Sequence, residues 1–384
     1  MNSFFADLHI HIGRNWHGKP VKITGSKTLT LTNVLKEASR NKGLDMIGVI
    51  DCHSPEVLAE VEDLISKGIA YEKQDGGIQF EEVTLILGSE IEIYDENCKG
   101  PIHVLAFLPT LKEMERFSKW LSERITNIHL SSQRFYGTAK EFQYEVKALG
   151  GLFIPAHVFT PFKSLFGKGV RASLSEVLDP DLIDAIELGL SADTKMADSI
   201  AELHRYTYVS NSDAHSLAKI AREYQKLTLD HPSFTELEWA LHQVKGRVVQ
   251  ENYGLNPLLG KYHKTVCATC FKETTEQGDC SCGGTKIIRG VSDRIQELAT
   301  AKEFPERPDY LYQVPLEYIP TLGKKTLEKL LQQFGTEMNI LHRVKEEELQ
   351  KVVSSKIVDA IMKMRSGKLS IRAGGGGIYG KVNL

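Results

Sequence analysis

Nine side chains of the types that bind metal ions are spread over the first 215 residues of this 384-residue chain: His9, His11, His17, His53, Glu90, His103, His157, Asp213 and His215. Imidazoles and carboxylates hold zinc, manganese or iron at neutral pH. Two groups are local, Asp7-Leu8-His9-Ile10-His11 and Ser212-Asp213-Ala214-His215. His-x-His on a strand sends both rings to one face, because side chains alternate with a period of two. That pattern alone is weak evidence. Asp-x-His at two places, with a Glu and a His at two others, is hard to explain as core packing, since every buried polar group would need its own partner. The chemistry within reach is metal-assisted hydrolysis, in which bound divalent ions activate a water molecule. It needs no Ser or Cys nucleophile. Asp7 and Asp51 are read as acceptors that orient the rings of His9 and His53.

Such side chains need strand ends to hold them, and most close an apolar run. Phe4-Phe5-Ala6 leads to Asp7, Met46 through Ile50 to Asp51, Val83 through Leu87 to Glu90, Leu152-Phe153-Ile154 to His157, and Tyr208-Val209 to Asp213. Short runs rich in β-branched residues read as buried strands. Parallel strands would gather their carboxyl ends at one rim, where an α/β barrel builds its site. Thr30 to Lys42 and Pro55 to Lys67 carry helical apolar stripes, and 110–149 reads as a long, mostly polar helical stretch. The loop Phe159 to Arg171 holds three Phe, two Lys, one Arg and two Gly. It reads equally as an ordinary loop with Phe packed inward, or as a lid. A lid would meet phosphate through Lys163, Lys168 or Arg171 and stack a base on Phe.

Net charge is −3, but the balance is uneven. Residues 319–384 hold 12 Lys and Arg against 6 Asp and Glu, a net of +6 that leaves −9 on the remainder. A basic module on an acidic protein points to a polyanion gripped there. Four of the six cysteines, Cys267, Cys270, Cys280 and Cys282, form two close pairs with glycines after the second, the spacing of a tetrahedral structural zinc. Disulfides are the alternative, disfavoured in a cytoplasmic protein. Cys52 and Cys98 read as buried small hydrophobes. No run of 18 apolar residues and no charged-then-apolar leader is present, so a membrane partner is not expected and the cytoplasm is the default location. Residues 231–262 read as a linker closing the first domain, and a helix is expected from Val291 to Lys302.

Asp-Leu-His-x-His, Ile-Asp-Cys-His, Gly-Ser-Glu, Pro-Ala-His and Ser-Asp-Ala-His, in this order, resemble the motifs of the PHP (polymerase and histidinol phosphatase) superfamily over residues 1–255. The resemblance implies a distorted seven-stranded (β/α) barrel with a two- or three-metal phosphoesterase centre. His9 and His11 would hold the first ion with Glu90 and Asp213. Glu90 would bridge to a second ion on His103 and His157, and His17, His53 and His215 would hold a third. Ile12-Gly13 stands where the family has Ser or Thr, in the loop leading to His17. Ile319 through Gly335 resembles the first half of a helix-hairpin-helix module, in which Gly323, Lys324 and Lys325 would hold a DNA phosphate. A helical dimerisation domain is the other reading. The tail Arg372 to Lys381 is either a flexible end or a loop that lets backbone approach a sugar-phosphate chain.

Barrel (1–255), four-cysteine segment (256–290), helical connector (291–318) and basic helical domain with its Gly-rich tail (319–384) together resemble the endonuclease Q family, along the whole chain. That resemblance implies damaged DNA as the partner, duplex or single-stranded. It also implies cleavage 5′ to hypoxanthine, uracil, xanthine or an abasic site, leaving 3′-hydroxyl and 5′-phosphate ends. Implied cofactors are two or three divalent ions (Zn, Mn or Mg) and one structural zinc. Location would be cytoplasmic, with the nucleoid when on DNA. A 3′ exonuclease, a small-molecule phosphatase of histidinol-phosphate type and a non-catalytic DNA clamp are the rival readings. Base recognition is expected near residues 159–173, by flipping the lesion out of the stack.

Overall fold

The structure is a computed structural model that describes residues 1–274, 280–375 and 378–383. Gly376, Gly377 and Leu384 of the tail, and 275–279 of the four-cysteine segment, lie outside the described residues.

The strand Asn2–Ile10 is buried from Phe5 onward, as an apolar run covered on both faces should be. It pairs parallel with Met46–Val49 on one edge and antiparallel with Tyr224–Leu229 on the other. Met46–Val49 pairs parallel with Val83–Ile93, placing Ile47 beside Leu85. From there the expected parallel order fails. Ile102–Leu108 runs antiparallel both to Val83–Ile93 and to Leu152–Pro155. The connection 94–101 is too short for the crossover that a parallel neighbour needs, roughly a dozen residues. A hairpin-like return results, and it sets His103 opposite Glu92.

These strands belong to one mixed sheet of 11 strands among the described residues. Ile186–Glu187 and Tyr208–Val209 form a separate parallel pair. Backbone bonds tie that pair in at both ends. Asp184 N donates to Phe153 O at 3.0 Å and Val158 N to Glu187 O at 3.0 Å; Ala214 N donates to His9 O and His11 N to Ala214 O, both at 3.1 Å. The fold is mixed α/β around one large sheet.

Leu31–Lys36 is α-helical, capped by Thr30 Oγ1, and continues as a π-helical turn Glu37–Lys42. Pro55–Ser66 opens with proline in its first turn, where the missing N–H costs nothing. Residues 110–149 are not one helix. Leu111–Ser122 and Ala139–Ala148 each start at a threonine cap, Thr110 and Thr138, with the short strand Arg134–Phe135 between them. Thr138-x-x-Glu141 is the capping signal that marks the second start.

The expected connector 291–318 is only partly helical. Helix Val291–Leu298 is followed by the strand Asp309–Tyr312, which joins the main sheet parallel to Val248–Gly254. Four helices follow, Lys324–Phe334, Glu337–His342, Glu346–Gln350 and Ser355–Arg365. They share a core with the sheet layer through Leu330, Ile340, Leu349 and Ile361. Lys42 Nζ meets Glu337 Oε1 at 2.8 Å in a buried pair, and the His342 ring stacks 4.6 Å from Phe5. Gly43, at φ +75°, packs so closely on Thr336 that a Cβ there would lie 2.4 Å from its Oγ1. Ser370–Arg372 and Lys381–Asn383 then form a hairpin, tied down by Gly374 N to Leu258 O and Gly380 N to Leu259 O.

Candidate metal centre

Three groups of donors lie close enough to share ions: His9, His11 and Glu90; Glu90, His103 and His157; and His11, Asp213 and His215. Glu90 joins the first two. Its Oε2 lies 3.3 Å from His9 Nε2, 3.1 Å from His103 Nδ1 and 3.5 Å from His157 Nε2. Its Oε1 lies 3.7 Å from His11 Nε2. Asp213 Oδ1 is 3.5 Å from His9 Nε2, 3.4 Å from His11 Nε2 and 3.2 Å from His215 Nε2. Donors about 2 Å from a common ion stand about 3–4 Å apart, the spacing seen here. Among the described residues, His9 Nε2 and His11 Nε2 are buried with no hydrogen-bond partner, which suits metal-ligand nitrogens. The residues present therefore fit divalent ions.

His17 and His53 stand outside these groups. His17 is exposed in a surface loop beside Trp16. His53 is fully buried, but its Nδ1 contacts Ser89 Oγ at 2.8 Å and its Nε2 the Leu130 carbonyl at 3.3 Å, so both ring nitrogens are engaged.

The orienting acceptors also differ from expectation. Asp51 Oδ2 holds His11 Nδ1 at 3.1 Å and Ile12 N at 2.7 Å, so it serves His11 and not His53. Burial opposes its charge, yet the His11 ring brings its carboxyl down to about 2. Asp7 binds backbone, accepting from Ser212 N at 3.0 Å and Ala221 N at 2.9 Å, which joins the two local motifs. The acceptor for His9 is Glu187, whose Oε1 lies 2.9 Å from Nδ1. Asn211 Nδ2 and His157 N also donate to Glu187, both at 2.7 Å. Gly189 follows at φ +77°, and a Cβ there would sit 2.8 Å from His157 Cβ. The signal for Glu187 was an acidic residue ending an apolar run, Asp184-Ala-Ile-Glu187, like those before Asp7 and Asp51.

Other contacts carried no sequence signal. Lys22 Nζ lies 3.2 Å from Glu90 Oε1, and Ser132, in the stretch expected to be helical, donates to the same oxygen. Burial works against a charge on Glu90, but His103 and Lys22 hold it well below the ordinary carboxylate range. Arg222 binds the carbonyls of Ser212 and Asp213 at 2.6 and 3.2 Å, fixing the turn that presents the aspartate. His157 and Asp213 both have positive φ, +31° and +46°, a conformation that costs a non-glycine residue about 1–3 kcal/mol. Burial pushes the Cys52 thiol up to about 12, which leaves it inert.

The 159–171 loop packs two of its three phenylalanines inward. Phe159 and Phe166 are buried and stacked 5.5 Å apart, whereas Phe162 is exposed and meets Tyr262 edge-on. Lys163 pairs with Glu92 at 2.7 Å, and Lys168 and Arg171 are exposed. A cavity of about 190 Å³ opens beside His157 and Asp213, walled by Phe162, Glu187, Lys261, Tyr262 and Tyr379. Tyr379 comes from the glycine-rich tail, which therefore folds back onto the site.

The four cysteine sulfurs lie within 4.8 Å of one another. Cys267–Cys282 and Cys270–Cys280 are 3.6 and 3.4 Å apart. That is too far for disulfides at about 2.05 Å and near the roughly 3.8 Å of a tetrahedral zinc edge. Backbone N–H groups of Cys270 and Thr269 bring the Cys267 thiol down to about 6. Gly323, Lys324 and Lys325 are exposed at the start of helix Lys324–Phe334, after a turn in which Thr321 has φ +73°.

A buried carboxylate bridging two sets of imidazoles, with further carboxylates fixing the rings, defines a metal-dependent hydrolase. The relatives are consistent with that class. The chain is 54% identical over its whole length to the uncharacterized protein YqxK of Bacillus subtilis. It is 37% identical over 253 residues to the uncharacterized protein MJ0043 of Methanocaldococcus jannaschii, of whose length it spans 31%. Residues 324–368 match the family described as the MJ0043 C-terminal domain. The crystal structure of the lesion-specific endonuclease PfuEndoQ from Pyrococcus furiosus superposes with a TM-score of 0.86, covering 100% of this chain and 96% of that one at 33% identity. Endonuclease Q bound to a 27-mer duplex with an abasic lesion at its active site superposes at 0.85, covering 100% and 97%, with 32% identity. The chain belongs to the endonuclease Q family and is a metal-dependent nuclease.

Proposed function

We propose that this protein is a DNA repair endonuclease that cuts the phosphodiester 5′ to deaminated bases (hypoxanthine, uracil, xanthine) and abasic sites, leaving 3′-hydroxyl and 5′-phosphate ends. The observation that carries the proposal is the cavity beside His157 and Asp213, in a chain matched end to end by an enzyme holding an abasic duplex. A base turned out of the stack meets aromatic walls in Phe162, Tyr262 and Tyr379, and a cation in Lys261. A mispaired deaminated base is the cheapest to extrude.

His9, His11, Glu90 and Asp213 form the first metal position, Glu90 with His103 and His157 the second, and His215 a third shared with Asp213. Divalent ions there supply a nucleophilic water at neutral pH and neutralise charge on the phosphoryl group. Glu187 and Asp51 keep the His9 and His11 rings in the tautomer that leaves Nε2 free. The architecture reads as the distorted seven-stranded PHP barrel. Asn2–Ile10, Met46–Val49, Val83–Ile93, Ile102–Leu108, Leu152–Pro155, Ile186–Glu187 and Tyr208–Val209 follow one another, and the Ile10–Ala214 bridge leads back to the first strand.

Residues 1–255 are the catalytic domain, 256–290 a zinc-bound knob, 291–318 a connector and 319–384 a DNA-gripping module. Gly323, Lys324 and Lys325 hold a phosphate in that module; Lys163, Lys168 and Arg171 hold others nearer the site. No described helix is long and apolar enough to cross a membrane, and the cytoplasm, beside the nucleoid, is the proposed location.

The test uses 5′-labelled duplexes with one deoxyinosine, deoxyuridine, deoxyxanthosine or abasic site, and Mg²⁺, Mn²⁺ or Zn²⁺. The expected result is a single nick 5′ to the lesion, with product ends that a ligase reseals. Degradation of undamaged strands from their 3′ ends would overturn the proposal in favour of an exonuclease.

A further inference from the structure

Lys22 has no place in the ligand sets, yet it is built into them. Its backbone N donates to Ile12 O at 2.8 Å and Val21 N to Gly13 O at 3.1 Å, which pins the loop against the strand end that carries His9 and His11. Its side chain is 15% exposed, and the ammonium contacts Glu90 Oε1 at 3.2 Å and Ser132 Oγ at 2.6 Å. Ser132 is held at φ +53° and points its hydroxyl at the same oxygen. The loop and Ser132 thus hold an ammonium at the edge of the donor cluster.

With His103 the Lys22 ammonium keeps Glu90 ionised, but once divalent ions neutralise that carboxylate the ammonium is free to serve another anion. Its charge has a use in the transition state of phosphodiester hydrolysis, where negative charge grows on the phosphoryl and leaving oxygens. An ammonium already held within the site stabilises that charge at less cost than one recruited from bulk water. Arg222, the other cation beside Asp213, is committed to the backbone carbonyls of Ser212 and Asp213.

We propose that Lys22 is a catalytic residue: when the DNA strand is seated, its ammonium moves from Glu90 to an oxygen of the scissile phosphate and stabilises the charge that develops there. Ser132 keeps Glu90 Oε1 in place, and Lys22 transfers no proton. The inference rests on the metal centre and endonuclease reading above.

Full-length Lys22→Met and Lys22→Arg are compared with Asp213→Ala for metal content, melting temperature, lesion-DNA affinity, inorganic phosphate binding and kcat. Lys22→Met is expected to lose about 100- to 1000-fold in kcat. Metal content and DNA affinity should stay near wild type, and phosphate binding should weaken tenfold or more. Lys22→Arg should recover part of each loss. If Lys22→Met fails to fold, Lys22→Gln carries the same comparison. Unchanged kcat at saturating metal, or a kcat loss that follows metal content, overturns the role of Lys22. A full-rate Asp213→Ala instead refutes the metal centre itself.

Discussion

Glu90 is the side chain on which the centre converges, and Asp213 is its counterpart across the rings of His9 and His11. Replacing Asp213 by Ala removes an oxygen close to three imidazoles. Cleavage is expected to fall by at least about a thousandfold, while DNA binding persists. A gel assay beside fluorescence anisotropy on the same duplex checks both. Glu187 acts one step further out. Glu187→Gln keeps the shape but weakens the hold on His9 Nδ1, and metal affinity or kcat should drop about 10- to 100-fold. Metal titration followed by turnover at saturating ion separates those effects. Both residues end apolar runs, but only the structure shows which ring nitrogen each carboxylate reaches. His53 illustrates the limit. Its type and position match a ligand, yet Ser89 and the Leu130 carbonyl engage both ring nitrogens, and no sequence pattern encodes that.

At the scale of elements, the buried strands were legible because uninterrupted β-branched runs have few other uses. Their directions were not. The eight-residue link before Ile102 decided the antiparallel return, and the stretch read as one helix is two, with Ser131 and Ser132 between them beside the site. Glycine-137 and the Thr138 cap were the available cues. The clustering of the four cysteine sulfurs was legible from their spacing, since a short segment without a core gains most from a cross-link. Replacing Cys267 and Cys280 together with Ser is expected to release one equivalent of zinc and lower the melting temperature, with the metal centre still loaded. Elemental analysis with a melting curve checks this; unchanged zinc means the knob holds no metal. The turn at Gly323 gives a different expectation. Lys324→Ala with Lys325→Ala should weaken DNA binding and reduce the slope of log affinity against log salt by up to about 2, since each lost phosphate contact releases about one counterion fewer.

Across the whole molecule, the C-terminal helices are not a separable attachment. His342 stacks on Phe5 and lies 2.7 Å from the Tyr224 hydroxyl, Lys42 pairs with Glu337, and Tyr379 returns to the catalytic cavity. Truncation near Pro315 would strip cover from the first strand and one wall from the cavity, so point variants are the cleaner probe of DNA grip. The docking is also sensitive to acid. Burial, with Lys226, Arg365 and Arg343 nearby, takes the His342 imidazole down to about 3. A folded-state value below the unfolded one of about 6.5 stabilises the fold at neutral pH, and the gain is lost as pH falls from about 6.5 toward 3. Wild-type melting temperature should therefore drop more steeply between pH 7 and 4.5 than that of His342→Phe. The variant keeps the stacking but loses the bond to Tyr224, so it should melt lower at pH 7. Calorimetry across that range measures both.

The left-handed backbone at His157 and Asp213 has a consequence for anyone improving this protein by selection. Glycine relieves such strain, and at these two positions it also deletes a donor. A library screened only for heat resistance in chelator would therefore favour His157→Gly or Asp213→Gly wherever the relaxed backbone outweighs the side-chain packing lost, and such winners would be inactive. Selection with ions present reverses the ranking, because the bound ions then outweigh the relaxed backbone. The growth medium, more than the mutagenesis, would decide whether the evolved protein still cuts DNA.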